Sequence, residues 1–167
     1  AKVGPIAKFD TFDSQNIGYH TVGVGTGSPT VSGASQNVTY ANAVGSNWSQ
    51  SLVTTAWTAS TAGIVKAGDV ITIAGVYAVN PVPGEGPTGK AVMPYLQQFT
   101  VLADANSGAG GATTLTISPP IITTGPFQTV SAAPAGGAPI TIRGTGAVTY
   151  PQNIAFHKDA FALVTVP

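Results

Sequence analysis

The chain has 167 residues, the length of one ordinary domain, and its formal net charge at pH 7 is zero. Only 7% of its residues are charged, which excludes a basic stripe for nucleic acid, and its 43% hydrophobic content excludes a disordered chain. It contains no cysteine, which excludes disulfides and thiolate metal sites, and no apolar run approaches the ~20 residues that a membrane helix needs.

The residue composition predicts a mainly β protein. The chain has 22 Thr and 18 Val against 5 Leu, and β-branched residues favour strands. Its 21 Gly and 13 Pro supply the tight turns that join many short strands. We therefore predict a small closed or partly open β-barrel, with a β-sandwich as the alternative. Short arms flank it, and one short helical turn lies near the C-terminus.

The pattern changes twice along the chain, which predicts three parts of one compact domain. Residues 1–35 form an extended N-terminal arm that ends in a glycine-rich stretch. Residues 36–150 form the barrel-like core domain. Residues 151–167 form a short helix capped by Asn153, followed by a C-terminal strand. The chain lacks an initiating Met and ends inside that strand, so we expect a piece of a longer protein, or a processed one.

Alternation of apolar and polar residues predicts the strands of the core domain. Val38, Tyr40 and Val44 fall on one side of the first. The clearest strand covers residues 69–80; both of its faces are apolar, so we expect it to be central, with a bulge at Gly75. The remaining predicted strands cover residues 52–58, 96–103, 113–118, 127–132 and 138–143.

The segment 81–94 is rich in Pro and Gly and is predicted to be a loop that projects from the barrel. Residues 84–90 match the first seven positions of a phosphate-binding loop. The next position needs Ser or Thr but is Ala91, and Pro87 removes an amide from the phosphate cradle. We therefore interpret the segment as a projecting loop and predict no cofactor.

Catalytic and metal-binding residues are not predicted. His157 and Asp159 are two positions apart, a spacing that does not share a helix face, and the other histidine, His20, lies near the opposite end of the chain. A Gly-x-Ser-x-Gly nucleophile motif does not occur. We therefore expect that the chain is not an enzyme.

Two tryptophans leave an alternative function open. Trp48 and Trp57 flank a predicted strand, and exposed aromatic rings could stack on sugars, as in a secreted or cell-surface β-domain that binds carbohydrate. Aromatic residues of a β protein are more often part of its core. Asn37 and Asn47 begin glycosylation sequons, but with no visible signal peptide we interpret these as chance matches.

Five segments, in one order, resemble the P22-type coat (major capsid) proteins of tailed bacteriophages. The segments are residues 12–17 with 20–23, 67–76 with 79–81, 96–101, 116–122 and 150–164. The resemblance implies the HK97-like shell fold with an added β-rich insertion domain, which serves subunit folding, stability and contacts between capsomers. The chain has no long spine helix, so we expect it to cover the insertion domain with short flanks.

The resemblance also implies the partners. Coat proteins assemble with other copies of themselves into an icosahedral shell on a scaffolding protein, so we expect a virion location, with the host cytoplasm as the place of assembly. It implies no catalytic residues, no membrane contact and no direct nucleic-acid site in this part. We expect the projecting loop to contact a neighbouring subunit. Its predicted contact residues are Pro83, Gly84, Glu85, Gly86, Pro87 and Lys90.

Overall fold

The computed structural model describes residues 2–6, 9–12, 15–82 and 89–154. Its contacts divide the chain into two units, one made of residues 1–20 and 149–167 and the other of residues 21–148. The described residues of the first unit form two small sheets. Strand β1 (Lys2–Ile6) pairs antiparallel with β2 (Phe9–Phe12), and β3 (Tyr19–Thr21) pairs with β10 (Thr149–Pro151).

The second unit is built on one antiparallel sheet of six strands. In chain order these are β4 (Gly27–Val31), β5 (Gln50–Trp57), β6 (Val70–Val79), β7 (Val92–Val101), β8 (Thr113–Ser118) and β9 (Ile140–Ile142). Their order across the sheet is β4-β5-β8-β7-β6-β9. One helix occurs among the described residues, α1 (Tyr40–Gly45), and it lies between β4 and β5 in the chain.

The sheet nearly closes on itself, because its two end strands meet at one end. Thr30 of β4 forms a bridge with Pro139, which precedes β9. The Val31 amide donates to the Ala138 carbonyl at 3.0 Å, and the Gly137 amide donates to the Val31 carbonyl at 2.9 Å. The prediction of a small, partly open barrel is therefore confirmed, with an unsealed seam between β4 and β9.

The interior of the barrel is apolar. Alternate residues of β5 point inward, as the two-residue period of a strand requires, so Leu52 is fully buried. The inward Gln50 is satisfied, since its Oε1 accepts from the Ile121 amide at 2.8 Å. Burying this much apolar surface is the main stabilising contribution to the fold. The largest fully buried side chains include Leu52, Ile64, Ile71, Ile73, Phe99, Leu115, Ile117 and Ile121.

Two strand predictions are confirmed closely. Strand β8 has the predicted bounds, residues 113–118. Strand β6 lies between β7 and β9, and the register of its pairing with β7 shifts between Thr72 and Tyr77. Gly75 lies inside this irregular stretch with a φ of 79°, a left-handed conformation that suits glycine. The ladder is therefore irregular around Gly75, where a bulge was expected.

The strand predicted on Val38, Tyr40 and Val44 is wrong, because helix α1 begins at Tyr40. Thr39 caps this helix: its backbone is extended, and its Oγ1 accepts from the Asn42 amide at 3.3 Å. A local side-chain cap thus outweighs a weak two-residue alternation.

The strand predicted over residues 127–132 does not form, apart from a single bridge between Ala78 and Val130. The Thr129 hydroxyl is hydrogen-bonded to the adjoining loop instead. Its Oγ1 donates to the Pro120 carbonyl at 2.7 Å and accepts from the Ile122 amide at 2.9 Å. Side-chain hydrogen bonds of this kind compete with a strand ladder.

The loop between β6 and β7 is shorter than predicted, because β7 begins at Val92 and includes Pro94. The proline is tolerated at a second shift in register, which separates the Tyr77–Leu96 pair from the Val79–Val92 pair. The predicted helix at residues 154–160 and strand at residues 162–166 fall, apart from Ile154, outside the described residues.

Trp57 is packed into the core at the end of β5. It is 4% exposed, and its indole Nε1 donates to Thr54 Oγ1 at 2.8 Å. Its amide donates to the Gly111 carbonyl at 3.1 Å. Gly111 has a φ of 70°, and a Cβ at this position would overlap the Trp57 carbonyl oxygen. The close approach therefore requires glycine at position 111.

We predict that Gly111→Ala lowers the free energy of unfolding by about 2 kcal/mol or more, because it combines a disfavoured φ with a backbone clash. Urea denaturation followed by tryptophan fluorescence measures this. Gly110→Ala is the matched control, since a Cβ there meets nothing within 4 Å. Equal stability of the two variants would contradict the packing argument.

Candidate interaction surfaces

The loop between β6 and β7 is a hairpin connection whose two ends are tied together. The Asn80 amide donates to the Ala91 carbonyl at 2.8 Å, and the Lys90 amide donates to the Val82 carbonyl at 3.4 Å. Of the six predicted contact residues, only Lys90 is described; the other five, Pro83 to Pro87, lie outside the described residues. Lys90 is half-buried, and its Nζ donates to the Pro81 carbonyl at 3.2 Å.

Exposed apolar side chains surround the described ends of this loop. Val82, Val92 and Tyr95 are each more than half exposed. Beside them lies a groove of about 510 Å³ with a mixed lining of apolar and amide side chains. Its lining includes Val79, Tyr95, Leu96, Gln98, Pro119 and Gln128. The described ends of the loop therefore present exposed apolar side chains beside a groove.

A second surface is an aromatic cluster at the start of α1. The Tyr40 ring stacks on the Phe127 ring, with centroids 4.0 Å apart and planes inclined by 13°. Trp48 meets Tyr40 edge-on, with centroids 6.1 Å apart. Tyr40 and Phe127 remain about half exposed, whereas Trp48 is half-buried. Since Trp57 lies in the core, only one of the two tryptophans is near the surface.

The aromatic cluster lies in a part of the chain without formal charge. The sequence contains no Asp, Glu, Lys or Arg at residues 14–65 or 105–142, and all three rings fall within these ranges. The described charged side chains of the second unit are Lys66, Asp69, Lys90, Asp104 and Arg143. The surface around α1 therefore sets up little electrostatic repulsion against an identical surface.

Known chemical sites find little support in the part of the chain that the structure describes. The described residues contain no group of three or more His, Cys, Asp or Glu placed to hold a metal ion. None of their helices is long and apolar enough to cross a membrane. The phosphate-loop match at residues 84–90 is followed by strand β7, whereas the motif requires a helix whose N-terminus faces the phosphates. His157 and Asp159 lie outside the described residues.

A small cavity of about 230 Å³ opens at the seam of the barrel. Glycine backbone and apolar side chains form most of its wall, and Thr141 is its one residue with a polar side chain. Its lining includes Gly23, Gly25, Gly27, Ile140, Ile142 and Gly146. Such a lining offers no acid–base group, and without one the Thr141 hydroxyl has no base to activate it as a nucleophile.

Comparison with known proteins decides the family. The model of the family described as "P22 coat protein - gene protein 5" matches residues 3–167. The chain belongs to this coat protein family. No curated protein matches it. A solved structure of the CUS-3 coat protein I-domain is 33% identical in sequence, over 70% of this chain and 96% of that one, with a TM-score of 0.44.

The expected resemblance to a P22-type coat protein is therefore confirmed. This coat protein has a structural role in a phage capsid, as its family does, and the family is not one of enzymes. Membership also implies assembly with other coat copies and a location in the virion.

Sequence reasoning missed the aromatic cluster of this coat protein. Tyr40 and Phe127 are 87 positions apart, so their stacking depends on how β5, β8 and the following loop are arranged. The sequence did contain one signal for helix α1, on which Tyr40 lies: Thr39 stands three residues before Asn42, a spacing compatible with a helix cap.

We predict that Tyr40 and Phe127 are energetically coupled by about 0.5 to 1 kcal/mol, since stacked aromatic pairs contribute beyond their buried area. A double-mutant cycle with Tyr40→Leu and Phe127→Leu, measured by urea denaturation, gives this value. A cycle between Tyr40 and Val148, which bonds through its backbone to Val22, is the control and should be additive. Additivity in both cycles would show that the stacking contributes nothing.

Proposed function

We propose that this part of the coat protein has two roles in the shell: it supports folding and stability of the subunit, and the hairpin loop between β6 and β7 contacts a neighbouring copy. The observation that carries the first role is the nearly closed barrel with its own apolar core. A unit of this kind can fold without an adjoining domain, because its strands hydrogen-bond to one another and its apolar side chains pack together in one core.

The contact role is supported by the described ends of the loop. Val82, Val92 and Tyr95 stay exposed although they are apolar, and the Asn80–Ala91 hydrogen bond keeps the two ends of the loop together. Apolar side chains that this hydrogen bond holds in place can meet a partner with little loss of entropy on binding. We propose Pro83, Gly84, Glu85, Gly86, Pro87 and Lys90 as the contact residues.

The proposed partners follow from the same roles. Other copies of the coat protein are the permanent partner, and a scaffolding protein is the transient one, met in the host cytoplasm during assembly. The surface suits identical neighbours, since long stretches of the chain carry no charge and so add no like-charge repulsion. Carbohydrate binding has less support, because Trp57 is buried and Trp48 already contacts Tyr40.

We predict that excising residues 83–90 from the full-length coat protein leaves the barrel folded but yields malformed or unstable shells. Electron microscopy of the assembled particles, together with their thermal stability, measures the outcome. Normal, stable shells would refute the contact role.

Two controls separate contact from folding. Replacing residues 83–90 by an equally long Gly/Ser segment preserves the hairpin connection, and it should reproduce the defect if the loop side chains make the contact. Circular dichroism of the excised variant should show an unchanged melting transition for the barrel. A large loss of stability would instead assign the shell defect to misfolding.

A further inference from the structure

Asp69 is a buried carboxylate that the shell contacts proposed above do not use. It is 1% exposed and immediately precedes β6. Its Oδ2 accepts hydrogen bonds from two backbone amides, that of Lys66 at 2.8 Å and that of Gly23 at 3.0 Å. A buried carboxylate is costly unless donors surround it, so these amides are held firmly in place.

Gly23 belongs to the segment by which the chain enters the second unit. The next two amides of this segment are also bound: that of Val24 donates to the Gly63 carbonyl at 3.0 Å, and that of Gly25 to the Ile64 carbonyl at 2.9 Å. The approach is close, because a Cβ on Gly23 would lie 2.6 Å from the Cα of Val65. The entering segment is therefore pressed against residues 63–69.

The segment by which the chain leaves the same unit is bound to the entering one. The Val22 amide donates to the Val148 carbonyl at 3.1 Å, and the Ala147 amide donates to the carbonyls of Val22 at 3.1 Å and Gly23 at 3.2 Å. A Cβ on Gly146 would overlap the Val24 carbonyl oxygen. The leaving segment therefore packs against the entering segment. The entering segment is in turn bound to the Asp69 carboxylate through the Gly23 amide.

The backbone of Asp69 connects this stack to the barrel. Its carbonyl accepts from the Val101 amide at 2.8 Å, and the Gly68 amide donates to the Val101 carbonyl at 2.8 Å. Asp69 therefore joins the end of β7, through its backbone, to the entering segment, through its carboxylate, and the entering segment in turn binds the leaving one.

We propose that Asp69 is the positioning residue that clasps both chain crossings, residues 22–25 and 146–148, to the barrel. Without the charge of its carboxylate the hydrogen bond from the Gly23 amide weakens, and the leaving segment, which is bonded to the entering one at Val22 and Gly23, loosens with it. The six-stranded sheet keeps its own ladder. The clasp is thus a local device that determines how firmly the two crossing segments are held on the barrel.

Asp104, which follows β7 in the chain, provides a matched control because it binds the same turn before β6. Its Oδ1 accepts from the Ala67 amide at 2.8 Å, and unlike Asp69 it is exposed. Both acids therefore bind the backbone of residues 66–67, one from inside and one from the solvent side. Only the inner one reaches Gly23.

The test is amide hydrogen exchange, resolved by residue, on the full 167-residue chain with Asp69→Asn and Asp104→Asn. We expect Asp69→Asn to speed exchange at Gly23 by roughly tenfold or more, and to speed it also at Ala147, whose amide donates to the Val22 and Gly23 carbonyls. Amides of the β5–β8 ladder should keep their protection. Asp104→Asn should affect Ala67 and leave Gly23 and Ala147 unchanged.

Two further results decide the proposal. Gly23→Ala should reproduce the pattern of Asp69→Asn without altering any titratable group, because its Cβ would displace the entering segment. Unchanged exchange at Ala147 in both variants would overturn the clasp. A uniform rise that includes the β5–β8 ladder would overturn it as well, since Asp69 would then serve global stability alone.

Discussion

The placement of the two crossing segments on the barrel depends on how one buried carboxylate is satisfied in a chain with very few charges. Removing a carboxylate from water is unfavourable, and Asp69 recovers that cost through hydrogen bonds from Lys66 and Gly23. Those bonds exist only when the turn before β6 and the segment entering the unit are both in place. The Asp69 carbonyl continues the same network into β7 through Val101. One residue therefore couples the segment that enters the second unit to the start of the β6–β7 ladder.

The barrel itself closes through local departures from regular strand geometry. Gly75 lies in an irregular stretch of β6 with a left-handed backbone, and the chain passes close to Trp57 at Gly111. Such departures increase bending and twist, which a small sheet needs if its end strands are to meet. The meeting is incomplete, since β4 and β9 are joined through Val31 and Ala138 at one end and leave a seam lined by glycine at the other.

Low charge takes on a different meaning once the fold is known. Apolar residues that have no place in the core remain on the surface, at the β6–β7 hairpin and around Tyr40 and Phe127. In a monomer such patches favour association. In a coat protein, whose task is to pack against copies of itself, an uncharged and partly apolar surface suits its neighbours. One of the few charged residues, Asp69, lies inside the protein instead, where it binds backbone amides.

Composition and pattern alone determined that the protein is a mainly β barrel and where several of its strands lie, because β-branched residues and alternation act within one strand. They also carried the family resemblance, which depends on residue order. Only the tertiary structure decided that residues 40–45 form a helix, that Tyr40 stacks on Phe127, and that Asp69 rather than a surface acid is buried. These features arise from residues that are far apart in the chain or from competition between a local cap and a weak pattern. A one-dimensional pattern cannot rank them, because their free energies depend on which distant groups the closed sheet brings together.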